Sequence, residues 1–126
     1  MRHFSTLLIA TILLALLAFG APTSTAADPY WGPAYRACGR QTFHSHEQGT
    51  VRVYVAEQHT TCKTARKIQR EYWTAPNSRL TIIAGGTGAA GYVLLKRYPG
   101  WKCTSGAGAG SCQKSRRFAG YSFSRS

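Results

Sequence analysis

Four cysteines stand in this chain, Cys38, Cys62, Cys103 and Cys112, and they follow an N-terminal stretch laid out for export. That combination constrains the fold more than any other feature. In an oxidising compartment an even set of cysteines reads as a disulfide framework, which fixes the segments of a short chain that must end up adjacent. Arg2 and His3 give a positive start, residues 7–19 form an apolar run broken only by Thr11, and small residues lead on to Ala26 and Ala27. Ser24 with Ala26, or Thr25 with Ala27, supplies the small side chains that signal peptidase requires. The apolar run is about 13 residues, short of the roughly 20 that span a bilayer. The first cysteine, Cys38, lies too far along for a lipobox. The sequence therefore predicts a signal peptide over residues 1–27 and one secreted domain over residues 28–126, with no stable membrane span after cleavage.

Charge narrows the choice of partners. Sixteen Lys and Arg stand against four Asp and Glu, for a net charge of +12. Losing Arg2 with the leader removes one positive charge, leaving about +11. An excess of this size points to polyanions: nucleic acid, anionic envelope polymers or lipid headgroups. The competing reading is solubility alone.

After an irregular-looking lead-in, "DPYWGPAYRA", the segment "CGRQTFHSHEQGTVRVYVAEQ" reads as a β-hairpin. Val51, Val53 and Val55 alternate with Arg52, Tyr54 and Ala56, the period of a half-buried strand. A turn near residues 46–49 brings Cys38 opposite Ala56. A helix follows, with Thr60 or Thr61 as its N-cap and Pro76 and Asn77 ending it. Cys62, Ala65, Ile68, Gln69 and Tyr72 form one seam, while Lys63, Arg66, Lys67 and Arg70 fall largely elsewhere. Beyond it, residues 80–84 and 92–97 read as strands joined by a glycine-rich turn, although residues 89–98 also fit a helix. "GWKC" and "RRFAGYSF" read as strands flanking a flexible loop, "TSGAGAGS". The expected fold class is α+β: a small antiparallel sheet with one helix packed on a face and two disulfides. Hairpin geometry favours Cys38–Cys62 with Cys103–Cys112. Cys62–Cys103 with Cys38–Cys112 would instead tie the helix to a C-terminal strand.

Several patterns invite chemistry. "GTGAAG" fits the dinucleotide-binding spacing, but no acidic residue follows Glu71, so a hairpin loop is the better reading. "FHSHEQ" clusters His44, His46 and Glu47, with His59 after the hairpin. Those residue types perform general acid–base cleavage of RNA, although a solvated turn also accounts for them. A Cys62–His59 nucleophile pair would need a free thiol, and the cysteine spacings lack the close pairs of a metal site. No cofactor or metal is expected. Aromatic and basic residues interleave in "REYW", "KRYPGWK" and "RRFAGYSFSR", as suits an extended polyanion. Alternatively Tyr72, Trp101, Phe118 and Phe123 fill a small core.

"TTCKTARKIQREYW", "YPGWKC" and "CQKSRRFAGYSF" together resemble a loose group of small exported proteins of unknown function from high-GC Gram-positive bacteria. The positions that carry the resemblance are Cys62, Ala65, Arg66, Gly100, Trp101, Cys103 and Cys112. It implies a cystine-stabilised fold and no particular activity. The resulting expectation is a secreted, monomeric, non-enzymatic module that binds an anionic polymer or an extracellular protein. Lys63, Arg66, Lys67 and Arg70 on the helix and Lys114, Arg116 and Arg117 near the C-terminus would make the contacts. A small secreted ribonuclease using His44, His46 and Glu47 and an inhibitor of an extracellular enzyme are the alternatives.

Overall fold

The computed structural model describes residues 26–83 and 91–125. The predicted leader up to Thr25 and the glycine-rich stretch 84–90 lie outside the described residues. Strand β1 (Ala27–Asp28) pairs with β2 (Gly32–Ser45), and β2 with β3 (Gly49–Gln58). Helix α1 (Cys62–Thr74) and a 3-10 turn (Asn77–Arg79) follow. Then come β4 (Leu80–Ile83), β5 (Tyr92–Leu95), β6 (Lys102–Ser105), β7 (Ala109–Lys114) and β8 (Arg117–Ser122). All eight strands form one antiparallel sheet in the order β1-β2-β3-β8-β7-β6-β5-β4, with α1 packed across β2, β3 and β8.

One helix on an antiparallel sheet with two disulfides is the expected arrangement, but strand dominates it and the sheet is larger than predicted. Two segments account for the difference. The lead-in is not irregular, since β2 already begins at Gly32, and Ala37 N–H donates to the Ala26 carbonyl at 3.0 Å. "TSGAGAGS" is not a flexible loop either. Thr104 and Ser105 belong to β6, Ala109 opens β7, and only residues 106–108 turn the chain. The glycine there is a packing device: a Cβ on Gly110 would lie 2.7 Å from the Tyr121 ring. Residues 92–95 are strand, paired on both sides.

The β2–β3 hairpin contains the irregularity that places the first disulfide. Ala37 pairs with Ala56 and Arg40 with Tyr54, so one extra residue on β2 makes a bulge. Gly39 occupies its left-handed position at φ 85°. The bulge buries Cys38, which bonds to Cys62 at the first residue of α1. Cys103 and Cys112 face each other across β6 and β7 and form the second bond, so the local pairing is the one present.

Helix α1 starts where predicted. The Thr61 hydroxyl accepts from Thr64 N–H at 3.1 Å, closing one of the four open donors of a helix start. Ala65, Ile68 and Gln69 are buried on the seam, and the small Ala65 lets the helix lie close to the sheet. Gln69 donates to the Ala119 carbonyl at 2.7 Å and is a polar peg in an apolar interface. Val51, Val53, Val55, Ile68, Leu95, Trp101, Cys103, Cys112 and Tyr121 fill the layer between helix and sheet. The aromatic expectation holds for Trp101 and Phe118, which are buried, and only partly for Tyr72. Phe123 is 48% exposed. Phe118 is buried on the opposite face, against Trp31 and Tyr35, with ring centroids at 4.9 and 4.8 Å. Among the described residues no helix is long and apolar enough to cross a membrane.

Candidate polyanion-binding surface

Among the described residues the Lys and Arg side chains meet very few exposed side-chain carboxylates. Asp28 is 3% exposed, and its carboxylate accepts from the N–H groups of Tyr30 and Trp31 at 2.9 Å. Glu57, also 3% exposed, is ion-paired with Arg36 at 3.2 Å and accepts from Thr60 N–H. Glu71, 6% exposed, is paired with Arg79 at 3.1 Å. Of the four Asp and Glu, only Glu47 stands in water, in the β2–β3 turn. Each buried carboxylate is compensated locally, which satisfies the cost of burying charge. The outward field of the molecule is then set almost entirely by Lys and Arg.

The fold joins the two basic clusters named from the sequence. Lys63, Lys67 and Arg70 are exposed on the outer side of α1, about one turn apart. Lys67 Nζ lies 5.3 Å from the centre of the Tyr98 ring, which belongs to the β5–β6 connection. Two residues on, Gly100 (φ 88°) lies beneath the side chain of Lys114, whose Cε a Cβ there would meet at 3.0 Å. Lys114 pairs with Arg117 across the β7–β8 turn that also presents Arg116. The connection 96–101 is thus the bridge between helix and C-terminal cations, and it adds the exposed Arg97.

Arg66 stands apart. Its Nε and Nη2 donate to the Cys38 carbonyl at 3.1 and 2.7 Å, so its guanidinium fastens the bulge to the helix. Lys96 is also partly engaged, donating to the Ser78 carbonyl at 3.0 Å.

The histidine cluster separates. His44 lies on β2 opposite Thr50, whose hydroxyl it meets at 3.3 Å. His46 and Glu47 fall in the turn beyond it and line a groove of about 310 Å³ with Tyr72, Trp73, Leu80 and Ile82, a groove His44 does not line. Cys62 is oxidised, which leaves no thiol for a pair with His59. Among the described residues no group of three or more His, Cys, Asp and Glu is placed to hold a metal ion.

Arg36 and Glu57 are two residues that the sequence patterns above do not single out. Glu57 does carry a signal: it continues the inward alternation of Val51, Val53 and Val55, so a charge stands at a core-facing position and must find a partner. The chain matches no protein-family model, no characterised protein and no solved structure closely enough to show kinship, and the surface itself carries the functional argument.

Proposed function

We propose that the mature protein binds anionic polymers outside the cell through the cationic surface that runs from α1 across residues 96–101 to the β7–β8 turn. The disposition of the carboxylates carries this proposal. A chain that needed only solubility could scatter its acids among its bases, yet here three of four acids are buried and partnered. What remains is a nearly uncompensated positive surface, the electrostatic footprint of a polyanion binder. Lys63, Lys67, Arg70, Lys114, Arg116 and Arg117 make the contacts, while Arg66 serves the fold.

Fluorescence anisotropy of a labelled single-stranded nucleic acid, titrated at two salt concentrations, tests this. Replacing Lys67, Lys114, Arg116 and Arg117 with Gln should weaken binding. It should also flatten the salt dependence by about 0.7 in log–log slope for each phosphate that is no longer neutralised. Arg66→Gln should act on stability instead. Unchanged affinity in the fourfold variant would sink the assignment.

A further inference from the structure

Where β2, β3 and the start of α1 meet, a cavity of about 470 Å³ opens to solvent, lined among others by Tyr35, Arg36, Glu57, His59 and Thr60. Glu57, Arg36 and His59 all line it, and none of them belongs to the cationic surface on α1. From this set of side chains we infer that the cavity is an acid–base site that cleaves RNA, an inference that rests on the polyanion reading and names ribose phosphodiesters as the substrate class.

Each group is placed by the fold. Arg36 and Glu57 are register partners across β2 and β3. Their ion pair, 3.2 Å from Arg36 Nε to Glu57 Oε1, orients the guanidinium. The pair leaves the terminal amino groups of Arg36, half-exposed at 52%, for an anion. Glu57 Oε2 accepts from Thr60 N–H at 3.2 Å. Each carboxylate oxygen has two acceptor sites, so both keep capacity for a proton after these contacts. His59 follows two residues later. It is exposed and held at φ 56°, a left-handed conformation that histidine adopts more readily than most non-glycine residues. Imidazole is the side chain best suited to exchanging protons near neutrality.

The chemistry closes without any other reactant. Glu57 takes the proton of a ribose 2′-OH, and the 2′-oxygen attacks the adjacent phosphorus. Arg36 holds the non-bridging oxygens as charge builds on them. The bond from phosphorus to the 5′-oxygen breaks, and His59 as imidazolium gives that oxygen its proton. The products are a 2′,3′-cyclic phosphate and a 5′-OH end. Water then carries the proton from Glu57 back to His59. DNA lacks the attacking hydroxyl, so it should bind and remain whole.

The test uses oxidised mature protein with one labelled oligonucleotide made as RNA and as DNA. Anisotropy reads binding, and mass spectrometry reads the product ends. The expected result is that both are bound, that only the RNA is cut, and that its fragments carry cyclic phosphate. His59→Ala changes an exposed residue outside the core and should reduce cutting by about 10²-fold or more while binding persists. Glu57→Gln should do the same if it folds, which circular dichroism checks. Bound but intact RNA overturns the inference and leaves the polyanion reading standing. Cutting that is equal in wild type and His59→Ala also overturns it. Failure to bind either polymer overturns both.

Discussion

Helix α1 is flanked at each end by a buried glutamate paired with an arginine, and the two pairs are built differently. At the C-terminal end, Glu71 meets Arg79 through both carboxylate oxygens, at 3.1 and 3.4 Å, and the arginine side chain is 28% exposed. Beside the N-terminal end, Glu57 meets Arg36 through one oxygen, gives the other to a backbone N–H, and leaves the arginine 52% exposed at the edge of a cavity. The first pair is closed to solvent and ties the helix end to the 3-10 turn that leads into β4, with Glu71 Oε1 and Arg79 Nε close but out of hydrogen-bonding alignment. The second is open on its arginine side, where Arg36 keeps donor capacity facing solvent while the Glu57 carboxylate stays buried. The same residue types thus act as a fastener in one place and as unspent chemistry in the other. The deciding factor is how far the arginine partner reaches into solvent, 28% exposed in the first pair and 52% in the second.

Covalent support differs in the same sense, and removing it should give the largest effect. The open pair lies beside Cys38–Cys62, whereas neither disulfide reaches the closed one. Replacing Cys38 and Cys62 together with Ala should cost about 3.5 kcal/mol in the chain-entropy account of a loop of this length. Urea denaturation measures it. Hydrogen exchange should show amides at 64–66 losing protection before those around Trp73. If the end near Trp73 loosens first, the disulfide is not what holds the open pair in place.

Exchanging each glutamate for glutamine probes the pairs directly. Glu71→Gln strands a mostly buried guanidinium, and a loss of about 2 kcal/mol is expected, below the full cost of breaking a wholly buried pair. Glu57→Gln leaves a half-exposed arginine that water can serve, so about 1 kcal/mol is expected. RNA cutting should follow the opposite order, abolished by the second substitution and unaffected by the first. Equal stability losses in urea would mean that the two pairs do not differ as described.

Much of this architecture is legible in the sequence. The helix seam, a cap at Thr60 or Thr61 and the valine alternation rest on spacing between neighbours, whereas the cystine pairing is only favoured by hairpin geometry and the fold decides it. The lead-in and the Gly-Ala run look like loops in the sequence because glycine and proline favour turns. In the fold the lead-in is ordered by pairing between β1 and β2 and Gly110 makes room for Tyr121, and both arise from tertiary packing. The joining of the basic clusters depends on Tyr98 and Gly100 meeting Lys67 and Lys114, contacts between segments about 15 to 30 residues apart that no local pattern records. The Arg36–Glu57 pair depends on strand register, which the one-residue bulge shifts.

The smallest effect sharpens the comparison from the closed end. Tyr121 is 2% exposed, packed edge-on to Trp73 at 5.0 Å and stacked beside Tyr72 at 6.1 Å. Burial pushes its phenol well above the ordinary value of 10.0, and the neighbouring Tyr72 adds to the shift. In the unfolded chain the same phenol ionises at its ordinary value, so the folded state holds the proton longer. The resulting stability is fully present below about pH 10 and is lost as pH rises beyond it, by at most about 1.4 kcal/mol per pH unit. Tyr121→Phe removes the ionisable group and should flatten this part of the profile. Every other ionisable group is the same in both proteins and cancels in the difference. Urea midpoints between about pH 8 and about pH 11 should therefore fall more steeply in wild type than in Tyr121→Phe. Parallel curves would mean that the phenol reaches water without unfolding. The aromatic end would then be no more closed than the end that carries Glu57.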